Sequence, residues 1–318
     1  MPNPSITPYR ILSIDGGGLK GIIPLAILER LDAAAPDWRR RINMFAGTST
    51  GGLIALAFAK GMTPSQLLDI YMTQGPHVFA RSLWQEIKDI GDIVGPKYDS
   101  DNRQKLCESI LGPSLQLGQL RSSDGASGHV VITAFDLDDQ SQQDPTKRRW
   151  KAKIFHNLPT KDGSGDDAER AYRVGMRTSA APTYFASYDG FVDGGVFANN
   201  PAMCALAQTQ DPRLSVGIPF DSIKMLSIGT GFFAYHLDGE ESWGLAQWAP
   251  HLVDLLMDGV NEVADFQVAQ MLPNGSYLRL APQLQTNIAM DDGTKVGLLQ
   301  RIGNAYDIGA AQKFVQAW

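Results

Sequence analysis

Cysteine, histidine and long apolar runs are scarce in this chain of 318 residues, and each scarcity removes a class of design. Two cysteines, Cys107 and Cys204, cannot frame a chain of this size with disulfides, so both read as reduced, packed thiols. Five histidines, at positions 77, 129, 156, 236 and 251, leave few candidates for a histidine-based catalyst. The apolar run Leu53 to Ala59 falls far short of the ~20 residues that cross a bilayer, so any membrane contact is expected to be peripheral. Lysine and arginine total 28 against 34 Asp and Glu, with no long block of one sign, which argues against a nucleic-acid partner. The basic triplets Arg39-Arg40-Arg41 and Lys147-Arg148-Arg149 are short enough to be ordinary solvated surface. Met1 to Arg10 carries three prolines and no apolar core after a basic start, unlike a secretory signal. A cytoplasmic protein, peripheral where it meets membranes, is the expectation.

What is present is an ordered pattern of strand, glycine and helix. Arg10-Ile11-Leu12-Ser13-Ile14-Asp15 is a β-branched run ending in glycines, and Leu19 to Leu31 then carries apolar residues at helical spacing. The pattern repeats at once, with Ile42-Asn43-Met44-Phe45 as strand, Gly47 to Gly52 as turn, and Leu53 to Lys60 as a mostly apolar, interior helix. Residues 62–128 read as helices and loops, with Thr63-Pro64 opening one helix and Asp101 to Leu111 forming another. Strand signals return at His129 to Phe135, Trp150 to Phe155, Ile223 to Ile228 and Tyr277 to Leu280. Short strands alternating with helices indicate an α/β layer fold with a central, largely parallel sheet. Asp136 to Lys147 and Lys161 to Glu169 read as exposed loops rather than linkers, so one domain over 1–318 is expected. Around Pro250 to Gln270 a helical pattern sets Leu252, Leu255, Leu256, Val260 and Val263 on one face, expected to be core.

The chemistry concentrates in the glycine turns. A serine hydroxyl is a weak nucleophile and must be exposed, close to a base and near donors for the oxyanion formed on attack. Gly47-Thr48-Ser49-Thr50-Gly51 is a G-x-S-x-G pattern between strand and helix, the placement of a nucleophile on a sharp turn. The bland alternative is Ser49 as a helix N-cap. Gly16-Gly17-Gly18 can aim successive backbone N–H groups at one spot at a helix start, as an oxyanion hole requires. Gly16, Gly18 and Gly21 also satisfy a dinucleotide-binding spacing, but the acidic residue it needs, Asp37, precedes the second strand instead of ending it. Asp193, ahead of Gly194-Gly195, is a candidate base, or simply a turn residue. A Ser-Asp-His triad would need His236 or His251, neither in a distinctive turn.

Together, Asp15-Gly16-Gly17-Gly18-Leu19-Lys20-Gly21, Gly47-Thr48-Ser49-Thr50-Gly51-Gly52, Ser179 to Phe185 and Asp193-Gly194-Gly195 resemble the patatin-like phospholipases. Asn199-Asn200-Pro201 and Leu226 to Gly231 also look like family blocks in family order, so the likeness runs from about Tyr9 to Leu280. The resemblance implies a three-layer α/β/α fold and a Ser-Asp dyad without a catalytic histidine. By motif, Ser49 is the nucleophile, Asp193 the general base and the Gly16 to Gly18 backbone the oxyanion hole. Lys20 stands where the family has arginine or lysine, to orient the loop or favour an anionic headgroup. The Ser179 to Phe185 block is expected to position the segment before Asp193, with no catalytic role for Ser179. The implied substrate is a lipid ester, whether phospholipid, lysophospholipid or galactolipid, met at a membrane or micelle surface. A catalytically silent lipid- or protein-binding relative is the alternative of a different class. No cofactor or metal is expected. Asp136, Asp138 and Asp139 lack the spacing of a calcium loop and should be exposed, so calcium independence is anticipated. Phe232, Phe233, Tyr235, Trp243 and Trp248 are candidates for an apolar rim or lid.

Overall fold

A computed structural model describes residues 7–78, 98, 100–139, 141–215, 217–234 and 244–318. Its centre is a sheet of seven strands: β1 (Tyr9–Ile14), β2 (Met44–Thr48), β3 (His129–Asp136), β4 (Lys151–His156), β5 (Phe191–Asp193), β6 (Ile223–Ile228) and β7 (Tyr277–Leu280). The order is β4-β3-β2-β1-β6-β7, with β5 added to β3. The pairs β1–β2, β1–β6, β2–β3 and β6–β7 are parallel, while β4 and β5 run antiparallel to β3.

Strand periodicity explains the layers. Side chains alternate across a strand, so Leu12, Ile14, Phe45, Val130, Ile132, Leu226 and Ile228 enter one apolar core. Their neighbours Ile11, Met44, Ala46, Val131, Ile223 and Met225 enter a second. A sheet apolar on both faces has to be covered on both. Helices α1 (Ile22–Ala34), α2 (Thr50–Ala59), α3 (Pro64–Val78), α4 (Ser100–Leu111) and α5 (Ala171–Thr178) contribute to the first core. Further helices follow: α6 (Gly195–Ala198), α7 (Ala202–Thr209), α8 (Leu245–Met271), α9 (Val296–Ala305) and α10 (Gly309–Gln316). Of these, α9 and α10 join the first core and α7 and α8 the second. The result is a three-layer α/β/α fold around a largely parallel sheet.

Several sequence expectations shift. The second strand begins later than Ile42 and runs through Gly47 and Thr48, because these residues still pair with Ile132 and Thr133. The turn is thereby confined to Ser49. The face of α8 expected to be core is partly outside it: Leu255 is 49% and Val263 55% exposed. The buried stripe is Ala264, Val268 and Leu272, at i, i+4 and i+8, of which Val268 and Leu272 enter the second core. The side chains of Leu252 and Leu256 lie outside the described residues. Nor are Arg39 and Arg41 merely solvated. Arg39 pairs with Asp32 at 2.8 Å, and Arg41 donates to the carbonyls of Val315 and Trp318 at the chain's last turn. Asp139 is buried rather than exposed, held by Lys151 at 2.6 Å. Among the described residues no helix is long and apolar enough to cross a membrane.

Candidate active site

Ser49 sits between β2 and α2 with φ 55° and ψ −123°, a conformation that costs an L-residue of order 1–3 kcal/mol. The flanking glycines make this turn sterically feasible. A Cβ on Gly47 would lie 2.2 Å from the Gly51 carbonyl oxygen, and one on Gly51 would lie 2.1 Å from that of Ile14. Ser49 occupies the N-cap position, yet its side chain makes no capping bond. Its backbone N–H donates to Thr178 Oγ1 at 2.8 Å, fixing the turn and leaving the hydroxyl for other work.

The carboxylate of Asp193 comes close enough to that hydroxyl for the serine to lower its pKa. Sheet register brings the two together across 144 residues of sequence. Thr48, the last residue of β2, pairs with Thr133, and the next residue of β3, Ala134, pairs with Asp193. Because β4 holds the other edge of β3, β5 continues the edge that β2 leaves. The residue following β2 and the residue ending β5 therefore meet. Asp193 N–H donates to the Ala180 carbonyl at 3.0 Å, so the Ser179 to Phe185 block positions this residue. The Ser179 hydroxyl is bonded to the Gly175 carbonyl at 2.7 Å.

Asp193 is only 4% exposed. Burial pushes its pKa up to about 6, against the opposing pull of the Ser49 hydroxyl, the Gly195 N–H and the more distant Arg103 charge. The Gly195 bond, at 2.7 Å, follows from Gly194 and Gly195 turning directly into α6.

The glycine loop after β1 approaches the same point. An added Cβ on Gly16 would come within 3.2 Å of Ser49 Cβ. Gly16 is clamped on both sides of its own residue: its N–H donates to the Asn199 carbonyl at 3.0 Å, and its carbonyl accepts from Thr230 Oγ1 at 2.6 Å. The Gly16 N–H is thus already committed. No backbone acceptor among the described residues takes the N–H of Gly17 or Gly18, so those two are the candidates for oxyanion donors. Gly21 abuts Thr50, whose hydroxyl bonds Tyr71 Oη at 2.7 Å. Thr48 Oγ1 donates to the Ala198 carbonyl at 2.6 Å and lies 2.7 Å from Thr133 Oγ1, tying β2, β3 and α6 together beneath the serine.

Two small cavities flank the loop. An apolar one of about 60 Å³ is bordered by Ser49, Gly18, Leu19, Leu53 and Phe185. A polar one of about 90 Å³ is bordered by Gly16, Gly17, Lys20, Asn199, Asn261 and Phe233. A larger hollow of about 660 Å³, lined by Asp32, Arg39, Phe45 and Phe58, touches neither Ser49 nor Asp193. Phe232 and Phe233 edge the polar cavity, and Phe232 is exposed. Trp248 is half-buried, while Tyr235 and Trp243 lie outside the described residues.

Histidine does not enter this arrangement among the described residues. His129 is at the opposite end of β3, bonded to Tyr9 Oη at 2.6 Å, and burial pushes its pKa down to about 4. His156 and His77 border neither small cavity. His236 and the side chain of His251 lie outside the described residues. Asp37 is on an exposed turn, paired with Arg40 at 3.0 Å, with no role at the glycine loop.

Two arginines escaped the sequence reading. Arg279 Nη1 donates to Asp15 Oδ1 at 2.9 Å and to Ser227 Oγ at 2.8 Å, and its Nη2 bonds the other carboxylate oxygen of Asp15. This buried fork ties β7 and β6 to the start of the glycine loop. Arg103 stands in the wall of the apolar cavity. Its only signal was position: Arg103, Leu106, Cys107, Ile110 and Leu111 fall on one stripe of α4, at i, i+3, i+4, i+7 and i+8.

Comparison with known proteins finds sequence likeness over most of the chain. A family model described as patatin-like phospholipase matches residues 12–206, more than half of the chain. CotR of Bacillus subtilis is 28% identical over 337 residues, covering 97% of each chain. Patatin-like protein 2 of Arabidopsis thaliana is also 28% identical, over 88% of this chain and 77% of its own. Among solved structures, VipD from Legionella pneumophila aligns over 98% of this chain and 67% of its own, at 12% identity and a TM-score of 0.44. That likeness is too distant to decide any detail of the site.

Proposed function

The chain belongs to the patatin-like phospholipase family, and from that premise we propose that it is a serine lipid acyl hydrolase working through a Ser49-Asp193 dyad. The observation that carries the reading is the convergence of Ser49, on its strained turn after β2, with the buried Asp193 carboxylate at the end of β5, both set by their pairing with β3. The proposal takes the whole chain as one domain and a lipid ester as substrate.

In the proposed reaction Asp193 accepts the Ser49 proton as Oγ attacks the ester carbonyl carbon. The carbonyl oxygen becomes an oxyanion held by the Gly17 and Gly18 N–H groups, which need no reorganisation at that moment. Collapse of this intermediate breaks the bond to the alcohol oxygen, which leaves with the proton from Asp193. A water then gives its proton to Asp193 and attacks the acyl-enzyme, and the acid departs as Ser49 regains a proton. The apolar cavity beside Ser49 and the polar cavity where Lys20 and Asn199 stand flank the ester and receive its two portions.

A fluorophosphonate is expected to label wild-type protein at Ser49, and Ser49→Ala to abolish both labelling and ester hydrolysis. Full esterase activity in Ser49→Ala would reject the assignment. Because the oxyanion is stabilised by backbone N–H groups and the proton is carried by Asp193, no step calls for calcium. Hydrolysis should therefore be unchanged, within about twofold, when a chelator removes divalent ions. A loss restored by added calcium would show that the residues named here are not the whole catalyst.

A further inference from the structure

Arg103 is 3% exposed, and Nε, Nη1 and Nη2 all lack a hydrogen-bond partner among the described residues. Its guanidinium lies 4.5 Å from the centre of the Phe185 ring, which satisfies one face of the group but none of its five N–H donors. Burying such a group unpaired is costly. Burial lowers its pKa from the usual arginine value, and the fields of Cys107 and Asp193 resist that change without bonding to it. A charge held dry on an apolar helix stripe is explained if something else completes it. The position says what: Arg103 and Ser49 border the same cavity, whose other walls include Leu53, Leu106 and Phe185.

We propose that Arg103 recognises an oxyanion carried by the ester substrate, bound in the apolar cavity while Ser49 attacks the ester carbonyl. The proposal rests on Ser49 being the nucleophile. The chemistry is that of a carboxylate or a phosphate taken by the planar fork of the guanidinium. Such a group has two sources, a carboxylate at the far end of the acyl chain or a phosphate on the alcohol. A cavity of about 60 Å³ favours a short reach between the ester and the anion, since one water needs about 10–15 Å³.

The test compares Arg103→Met and Arg103→Lys with wild type on two matched pairs of esters. The first pair is p-nitrophenyl hexanoate and its counterpart ending in a carboxylate, the monoester of adipate. The second is a monoacylglycerol and the lysophosphatidate of the same acyl chain. Wild type should prefer the anionic member of at least one pair, and Arg103→Met should cut kcat/KM for that member by about 10- to 100-fold, the worth of a charge-assisted hydrogen bond. At pH 8, where Asp193 is ionised, neutral members should lose at least about fivefold less than the anionic member, and Arg103→Lys should recover part of the loss. Which pair responds identifies the source of the anion. Equal losses on neutral and anionic esters, or no anionic preference in wild type, would overturn the proposal. Should the variants fail to fold, wild-type protein suffices: the monoamide of adipate must protect Ser49 from fluorophosphonate better than hexanamide, or phosphate-bearing lipid better than neutral lipid, and absence of both differences rejects the idea. Failure of the underlying reading looks different, because wild type would then neither label at Ser49 nor hydrolyse any of the four esters.

Discussion

Asp193→Asn is expected to lose ester hydrolysis by about 10³-fold or more while making the protein harder to unfold at pH 8. The loss of activity follows from the loss of the base: an amide cannot accept the Ser49 proton, whatever its shape. The gain in stability follows from the cost of the charge it replaces. A carboxylate buried at 4% exposure with a pKa near 6 is less stable ionised in the folded protein than in the unfolded chain, where it titrates near 3.9. The difference of roughly two pH units corresponds to about 3 kcal/mol of destabilisation once both states are ionised.

The sign determines how to look for it. The raised pKa means that the folded protein holds its proton longer than the unfolded chain. Asp193 therefore contributes its destabilisation as pH rises from about 4 through 6, and the contribution is complete above that window. Urea unfolding at pH 8 should place Asp193→Asn above wild type by about 1–3 kcal/mol, and the gap should close towards pH 4. The acid limb of wild-type kcat/KM should fall near pH 6, where the base becomes protonated. An advantage over wild type no larger at pH 8 than at pH 4 would mean that Asp193 is not the costly buried anion described here. Retained activity would remove it from the reaction altogether.

How much of this was legible in the sequence depends on the range of the interaction. The turn at Ser49 was readable because its causes are local: a strand, two glycines and a helix within a dozen residues. Asp193 was readable as a candidate from its own residues, but its meeting with Ser49 came only through the family resemblance, since that depends on β5 taking the edge of β3 where β2 ends. No local pattern announces a register. The Gly16 N–H looked like an oxyanion donor because three glycines in a row look alike, and only the distant Asn199 carbonyl distinguishes the first from the other two. The helix α8 misled for another reason. Leu255 and Val263 are as apolar as the buried Val268 and Leu272, so hydropathy alone does not choose which stripe meets the sheet. Nothing local marks Arg103 as buried: a charge on a stripe with Leu106, Cys107, Ile110 and Leu111 looks like any helix residue until the stripe is seen to face the cavity.

Arg279 shows the same long reach, 264 residues from its partner, and its removal should be the most damaging change to the scaffold of the site. Asp15 opens the glycine loop and is 1% exposed. Burial raises its carboxyl pKa, and the charge and hydrogen bonds of Arg279 oppose that rise. Taking away the guanidinium leaves a buried carboxylate with nothing to balance it, a loss of about 3–5 kcal/mol. Against a typical total of about 5–15 kcal/mol, Arg279→Met should visibly lower the urea midpoint. The pH dependence separates this cause from a simple packing defect. In the variant, folded Asp15 keeps its proton to higher pH than the unfolded chain does, so the variant should regain stability relative to wild type as pH falls. Asp15→Asn combined with Arg279→Met should recover much of the loss at pH 8, because no buried charge is then stranded. If the double variant is no better than Arg279→Met alone, the fork stabilises by packing rather than by charge. Activity supplies the link to function. The Asp15 side chain lies one residue before Gly16, so loosening it should displace the Gly17 and Gly18 donors. In the double variant kcat should remain depressed even where stability returns, whereas full recovery of kcat would show that the loop holds its shape through Asn199 and Thr230 alone.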